Sequence, residues 1–470
     1  MAAPTFRMTR TVTSLRARVG AKAGAAALAS VVALSPTLAE AQGFRFIRDT
    51  EIEDLLNDYS RPILRAAGLG GSRVKMRVLN NPSFNAFVLD GRNIFMNTGT
   101  LMQAETPNAV IGVIAHEAGH IAGSHLAGLR AKIKRDSTRL LLAQILGVGA
   151  LIAGGASGNN QTGEVVGGIG KGLLGGSSTV VQRSILSYRR VQEAAADQAA
   201  VDYLNATRQS SRGMLETFEI LGRSEIFTAR VQDVYTRSHP VPQTRISQLR
   251  RRAQASPYFD KKDPAELQLR HDLMRAKLSG YLDNPKTVFN RYPKSDRSMP
   301  AIYARAIASS ELGDLNSAVP RVRQLIKARP RNPYFHELEG EILFRAGRSA
   351  EAIAPLQRAL RLRKNAPLIQ IRLAQAMLGT NARKHVRPAL RLLRQATVTE
   401  KRSLPFRLLA RAYAAEGKRP EAQLASAKAY FYEGNRGDAR RQAERAKQKF
   451  KRGSAQWVQA DDIIRYTKRR

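Results

Sequence analysis

The chain has 470 residues, room for two or three domains, and 43% of them are hydrophobic, enough for a sizeable core. Its 77 Lys and Arg against 38 Asp and Glu give a net charge of +39, but the Arg residues are scattered through helical repeats, so solvated helix faces explain the charge better than a nucleic-acid or lipid patch. There is no cysteine, which excludes disulfides, thiolate metal ligands and cysteine nucleophiles.

Residues 1–41 read as an export signal. Arg7, Arg10, Arg16, Arg18 and Lys22 form a basic start with no acid before Glu40, and a small apolar run then ends in Ala39-Glu40-Ala41. Cleavage is expected after Ala41, with Ala39 as second choice. The run is short and broken by Pro36, unlike a permanent membrane span. An Arg-rich transit peptide shares some of these features; bacterial secretion to the periplasm is the preferred reading.

A first folded domain is expected over 42–260. Residues 49–67 have an acidic first turn and the period of an amphipathic helix. Val74–Leu79 alternates as a strand, and Asn85–Leu89 and Asn93–Asn97 flank the hairpin signal Asp90-Gly91. The expectation is a small antiparallel sheet, whose segment Asn85-Ala86-Phe87 could offer an edge to an extended peptide. Thr106-Pro107 then opens a helix.

That helix carries His116-Glu117-Ala118-Gly119-His120. Residues four apart share a helix face, so the two imidazoles can grip one metal ion, and Glu117 is placed to accept a proton from the attacking water. A second helix carries Glu193-Ala194-Ala195-Ala196-Asp197. Glu193 would complete a His-His-Glu zinc site, one Zn²⁺ per chain, and Asp197 would accept the free ring N–H of a ligand histidine. His125 lies five residues past His120 and is read as a polar neighbour or a residue behind the ligands, not a ligand. Between the two motifs, about 140–181, run two apolar, glycine-rich arms. They are read as a helical hairpin packed on the domain, with peripheral membrane contact as the minority alternative.

These motifs together resemble the HtpX-related gluzincin family, in particular its exported branch with a tetratricopeptide tail. Ser238-His239-Pro240-Val241-Pro242-Gln243-Thr244-Arg245 is similar to that family's S/T-H-P-x-P-x-T-R segment. The resemblance implies that His239 reaches the active site, as a transition-state donor or an inhibitory fourth ligand, and that Arg245 supports it. It also implies that the substrates are unfolded or misassembled outer-membrane proteins and that a partner is the β-barrel assembly complex. In one respect the chain departs from the pattern: the family often has a polar or acidic residue where Ala194-Ala195-Ala196 stands.

Residues 250–264 read as a basic linker. Beyond it Gly313, Gly347, Gly379 and Gly417 recur near the 34-residue period of tetratricopeptide repeats, and the beat shortens after Gly417. Residues 265–470 are therefore expected to form an all-α solenoid that binds other proteins. The fold class is an α+β, zincin-like metalloprotease domain followed by that solenoid. The function read from it is a zinc endopeptidase in envelope quality control, with a chaperone or adaptor scaffold carrying a latent site as the alternative.

Overall fold

The structure is a computed structural model, described here for residues 45–71, 74–138, 160–227 and 239–468; over 160–182 and 223–227 only the backbone is described. The export signal and the first arm of the apolar hairpin lie outside the described residues. Among the described residues, no helix is long and apolar enough to cross a membrane.

A short strand β1 (Phe46–Ile47) leads into helix α1 (Thr50–Ala66). The Asp49 side chain caps α1 by accepting from Ile52 N at 3.0 Å. Ile52, Leu55, Leu56, Tyr59 and Ile63 recur at helical spacing and are buried in the first core. Strands β2 (Lys75–Leu79), β3 (Ala86–Val88) and β4 (Asn93–Asn97) follow, with Gly91 of the β3–β4 loop at φ 69°, where a side chain would be strained.

The sheet order is β1-β2-β4-β3, and this corrects the expectation of an antiparallel sheet. β4 inserts between β2 and β3, pairing in parallel with β2 (Lys75 opposite Asn93) and antiparallel with β3 (Phe87 opposite Phe95). The sheet is therefore mixed. The hairpin itself serves as the crossover that a parallel pair requires. β3 is left on an edge, as is the two-residue β1.

Helix α2 (Thr98–Gln103) leads to α3 (Pro107–Ala122), which starts with Pro107 in its first turn and is capped by Thr106 Oγ1, accepting from Ala109 N at 3.2 Å. α3 is buried without a break from Pro107 to Gly119, as expected of a helix that is apolar on all sides. Around it pack α1, the long helix α4 (Asn160–Ala206), which takes up the second hairpin arm, and α5 (Arg212–Phe227). Helix α6 (Gln243–Gln254) closes the layer. At Gly112 a Cβ would lie 2.5 Å from Met214 Cβ, so the α3–α5 approach depends on the missing side chain.

Helix α7 (Ala265–Leu282) belongs to both cores. Its Met274 and Leu278 join the first, while Leu273 joins the second. After α8 (Pro285–Arg291), antiparallel helix pairs follow: α9 (Met299–Glu311) with α10 (Leu315–Ala328), α11 (Pro333–Arg345) with α12 (Ser349–Leu362), and α13 (Pro367–Gly379) with α14 (Arg383–Ala396). They continue as α15 (Ser403–Ala415) with α16 (Arg419–Tyr432) and α17 (Arg436–Lys447) with α18 (Ala455–Lys468). Gly313, Gly347, Gly417 and Gly434 take positive φ at the joints. Gly379 does not: it is the last residue of α13, and the pivot there is Asn381 at φ 54°. The shortened beat has a simple cause. Gly417 turns α15 into α16, and Gly434 turns α16 into α17.

The polar face of α1 docks on the repeats. Lys277 reaches Asp49 Oδ2 at 2.6 Å and Glu51 Oε2 at 3.1 Å, and Tyr303 donates to Glu51 at 2.8 Å. Arg363 pairs with both oxygens of Asp54, and Arg48, just before α1, pairs with Glu400 at 2.7 Å. One histidine in this junction yields a pH prediction. His271 is fully buried, with Nε2 2.8 Å from Ala104 O and Nδ1 3.0 Å from the Tyr59 hydroxyl. Burial pushes the imidazole down to about 4, whereas the unfolded chain protonates near the ordinary value of ~6.5. Between those values the unfolded state binds the extra proton. The contribution is thus intact above pH ~6.5 and lost as pH falls, by about 2 kcal/mol at pH 5. Denaturant midpoints at pH 7 and pH 5 should show this loss, and His271→Gln should lack that share of it. An equal loss in both proteins would contradict the assignment.

Candidate metal centre

α3 places His116 and His120 one turn apart on the face that meets α4. The two helices touch where Gly119 lies on Ala196: a Cβ at Gly119 would sit 3.0 Å from Ala196 O. That approach brings Glu193 and Asp197 onto the two histidines. It also accounts for the alanine run. Ala196 is buried in the contact, while Ala194 and Ala195 face outward, so the departure from the family pattern falls largely on the open side of the helix.

His116 Nε2 lies 3.1 Å from His120 Nε2 and 3.3 Å from Glu193 Oε2, and His120 Nε2 lies 3.5 Å from Glu193 Oε1. On its other side, His116 Nδ1 is 2.9 Å from Asp197 Oδ1. His239 arrives on the segment before α6, with Nδ1 3.0 Å from Glu193 Oε2 and 3.3 Å from His116 Nε2. Ligand atoms of His116, His120, Glu193 and His239 all lie within 4.8 Å of one another. Arg245 of α6 ties the arrangement together. Its Nε and Nη2 donate to Asp197 at 2.5 and 2.8 Å, and its Nη1 donates to Pro240 O at 2.8 Å and lies 3.0 Å from Glu193 Oε2. The guanidinium also sits 5.0 Å from the centre of the Phe218 ring, which in turn meets the His116 ring edge-on.

The electrostatics follow from these contacts. Burial opposes charge on His116, but hydrogen bonds to Asp197 and Glu193 outweigh it and push the ring up to about 9. Burial would likewise raise Glu193, yet the charge of His239 and hydrogen bonds from His116 and His120 hold it well below the usual carboxylate range. Asp197 is held down, against burial, by Arg245. His120 is lowered by burial. The centre therefore gathers one anionic carboxylate, Glu193, and ring nitrogens of His116, His120 and His239 around one point, with Asp197 behind His116 on the Nδ1 side.

A cation fits this donor set. Imidazole nitrogens and one carboxylate are the ligands of catalytic zinc sites. Glu117 gives an independent sign: it is 1% exposed, and neither carboxylate oxygen has a hydrogen-bond partner among the described residues. His239 Nε2 lies 3.6 Å from its Oε1. A buried carboxylate left this way is costly unless a ligand completes its surroundings.

Asn85, Ala86 and Phe87 lie apart from this cluster, though β3 packs against α3. Asn97 N donates to Asn85 O at 2.9 Å, so the Asn85 and Phe87 positions face β4, and the Ala86 and Val88 backbone points to the open edge. Phe218 is not singled out by spacing as part of the site, whereas His125 is read from its spacing as a polar neighbour and not a ligand. Phe218 carries no sequence signal, and His125 lies with its Nδ1 3.0 Å from His120 Nδ1.

Residues 48–253 match the family model of peptidase family M48, and residues 303–367 match that of the tetratricopeptide repeat. The chain is 24% identical over 341 residues to the beta-barrel assembly-enhancing protease of Escherichia coli (strain K12), covering 71% of this chain and 66% of that protein. The protein of the same name from Yersinia pestis is 24% identical over 309 residues, covering 64% of this chain and 60% of its own length. Metalloprotease LoiP of Escherichia coli (strain K12) is 29% identical over 188 residues, covering 40% of this chain and 66% of that protein. The match thus spans just under two thirds of these relatives. With two histidines of one helix and a glutamate of the next converging beside the buried Glu117, the chain carries a peptidase family M48 domain followed by tetratricopeptide repeats.

Proposed function

We propose that this protein is a zinc-dependent endopeptidase of the periplasm that acts on unfolded or misassembled outer-membrane proteins. The observation that carries the reading is the cluster of His116, His120, Glu193 and His239 beside the buried Glu117, whose oxygens have no hydrogen-bond partner among the described residues. The names of the relatives support the envelope role. Residues 1–41 would direct export, 42–260 would form the catalytic unit, and 265–470 would hold substrate or the β-barrel assembly complex.

His116, His120 and Glu193 would hold Zn²⁺, which when bound polarises the scissile carbonyl and makes water a stronger nucleophile near neutral pH. Glu117 accepts the proton from the attacking water and passes it to the leaving amine. Asp197, 2.9 Å from His116 Nδ1, would orient that ring, and Arg245 neutralises Asp197 while holding the His239 segment through Pro240 O. His239 lies among the ligand atoms, a position suited to blocking the open side at rest and, once displaced, to donating toward the developing oxyanion. Substrate would lie along β3 as an added strand, using the outward backbone of Ala86 and Val88. The test is incubation of the mature chain with an unfolded outer-membrane protein. Cleavage that stops on chelation and returns with zinc is expected. Binding without cleavage, also after His239→Ala opens the site, would leave a chaperone scaffold as the function.

A further inference from the structure

His120 is held from both ends of its ring. Its Nε2 faces the ligand cluster, 3.1 Å from His116 Nε2. Its Nδ1 faces away and lies 3.0 Å from His125 Nδ1, the two rings nearly perpendicular at 85°. His116 meets the same need differently, with its Nδ1 on Asp197. A neutral imidazole has a single N–H. If Nε2 of His120 is to present a lone pair to the cluster, that proton sits on Nδ1 and needs an acceptor. His125 Nδ1 is at hydrogen-bond distance to be one.

We propose that His125 is a positioning residue for the metal centre: it accepts the Nδ1–H of His120 and so fixes the tautomer and ring plane that aim His120 Nε2 at the cluster. The inference rests on the metal-centre reading above. Three local features support the placement. On an uninterrupted helix, a residue five further on lies about 140° around the axis, off the face of His120. α3 instead ends at Ala122, and Ser124 takes the left-handed conformation at φ 51°, which turns the chain back. Gly123 makes room: a Cβ there would lie 2.3 Å from His125 Nε2 and 2.6 Å from its Cδ2. Gln192, beside Glu193, donates to His125 O at 2.9 Å and fixes the turned segment to the ligand-bearing helix. The strained turn, the side-chain-free glycine and the anchor all converge on the seat of one ring, and the contact that ring makes is with a ligand.

The test is metal affinity, read by competition of purified protein with a chromophoric chelator, together with the visible absorption of the Co²⁺-substituted protein. His125→Ala is expected to weaken Zn²⁺ binding about 10-fold or more and to alter the Co²⁺ bands. His125→Asn keeps an acceptor near the Nδ1 position and should recover most of the affinity. Gly123→Ala, which leaves His125 present but displaces its ring, should resemble His125→Ala. Wild-type affinity and an unchanged Co²⁺ spectrum in His125→Ala would overturn the proposal, as would failure of His125→Asn to recover binding in a protein of native circular dichroism. Absence of metal binding by the unsubstituted protein would instead overturn the metal centre itself, and the positioning role with it.

Discussion

Glu117→Gln should abolish proteolysis while leaving the fold at least as stable as before. Loss of a positioned general base lowers the rate by roughly 10²–10⁴-fold. The stability half of the expectation comes from the structure. Glu117 is buried, its carboxylate makes no hydrogen bond among the described residues, and its contact with His239 Nε2 is long, 3.6 Å, so the substitution removes a desolvated charge at the loss of one weak ionic contact. The metal-free protein is expected to gain on the order of 1 kcal/mol, within the range seen when buried polar strain is relieved. Cleavage assays and denaturant melts of the same preparation check both halves. A strongly destabilised Glu117→Gln would mean that the carboxylate has a structural partner, and retained cleavage would remove it from the chemistry.

Arg245→Met should be the most destabilising single change in the site. The guanidinium contacts both Asp197 oxygens, Glu193 Oε2 and Pro240 O. Removing it leaves the buried Asp197 without its principal counter-charge and takes one contact from Glu193, a loss of about 3–5 kcal/mol. It also frees the segment that carries His239. Asp197→Asn with Arg245→Met should cost less than the sum of the two, because the pair acts as a unit. Thermal melts of the single and double variants measure that coupling, and simple additivity would contradict it.

The ligand motifs were legible because helix period is local: residues four apart share a face whatever the tertiary fold, so His116 with His120 and Glu193 with Asp197 could be paired on sight. The approach of the two pairs was not, since it depends on Gly119 meeting Ala196 across 77 residues of chain. His239 could be placed only by resemblance. Its position is set by the Arg245 clamp on Pro240 O, a contact without a periodic signature. The sheet shows the same limit. Each strand could be read from alternation, but strand order is a non-local choice, and the insertion of β4 beside β2 made the sheet mixed. The acids at the start of α1 read naturally as complements to the helix dipole, yet Glu51 pairs with Lys277 and Tyr303 of the repeats, and Arg48 just upstream reaches Glu400. In the solenoid, glycine spacing gave the beat, whereas the pivot at Asn381 was hidden because asparagine tolerates the left-handed conformation almost as well.

The central claim is that α3 and α4 together build one metal centre. Equilibrium dialysis of the purified mature chain against Zn²⁺, with metal content read by mass spectrometry, tests it most directly. The account predicts one tightly bound ion per chain, lost in His116→Ala and in Glu193→Ala while the repeats stay folded. No bound ion in the unsubstituted protein, or full occupancy in both variants, would contradict it.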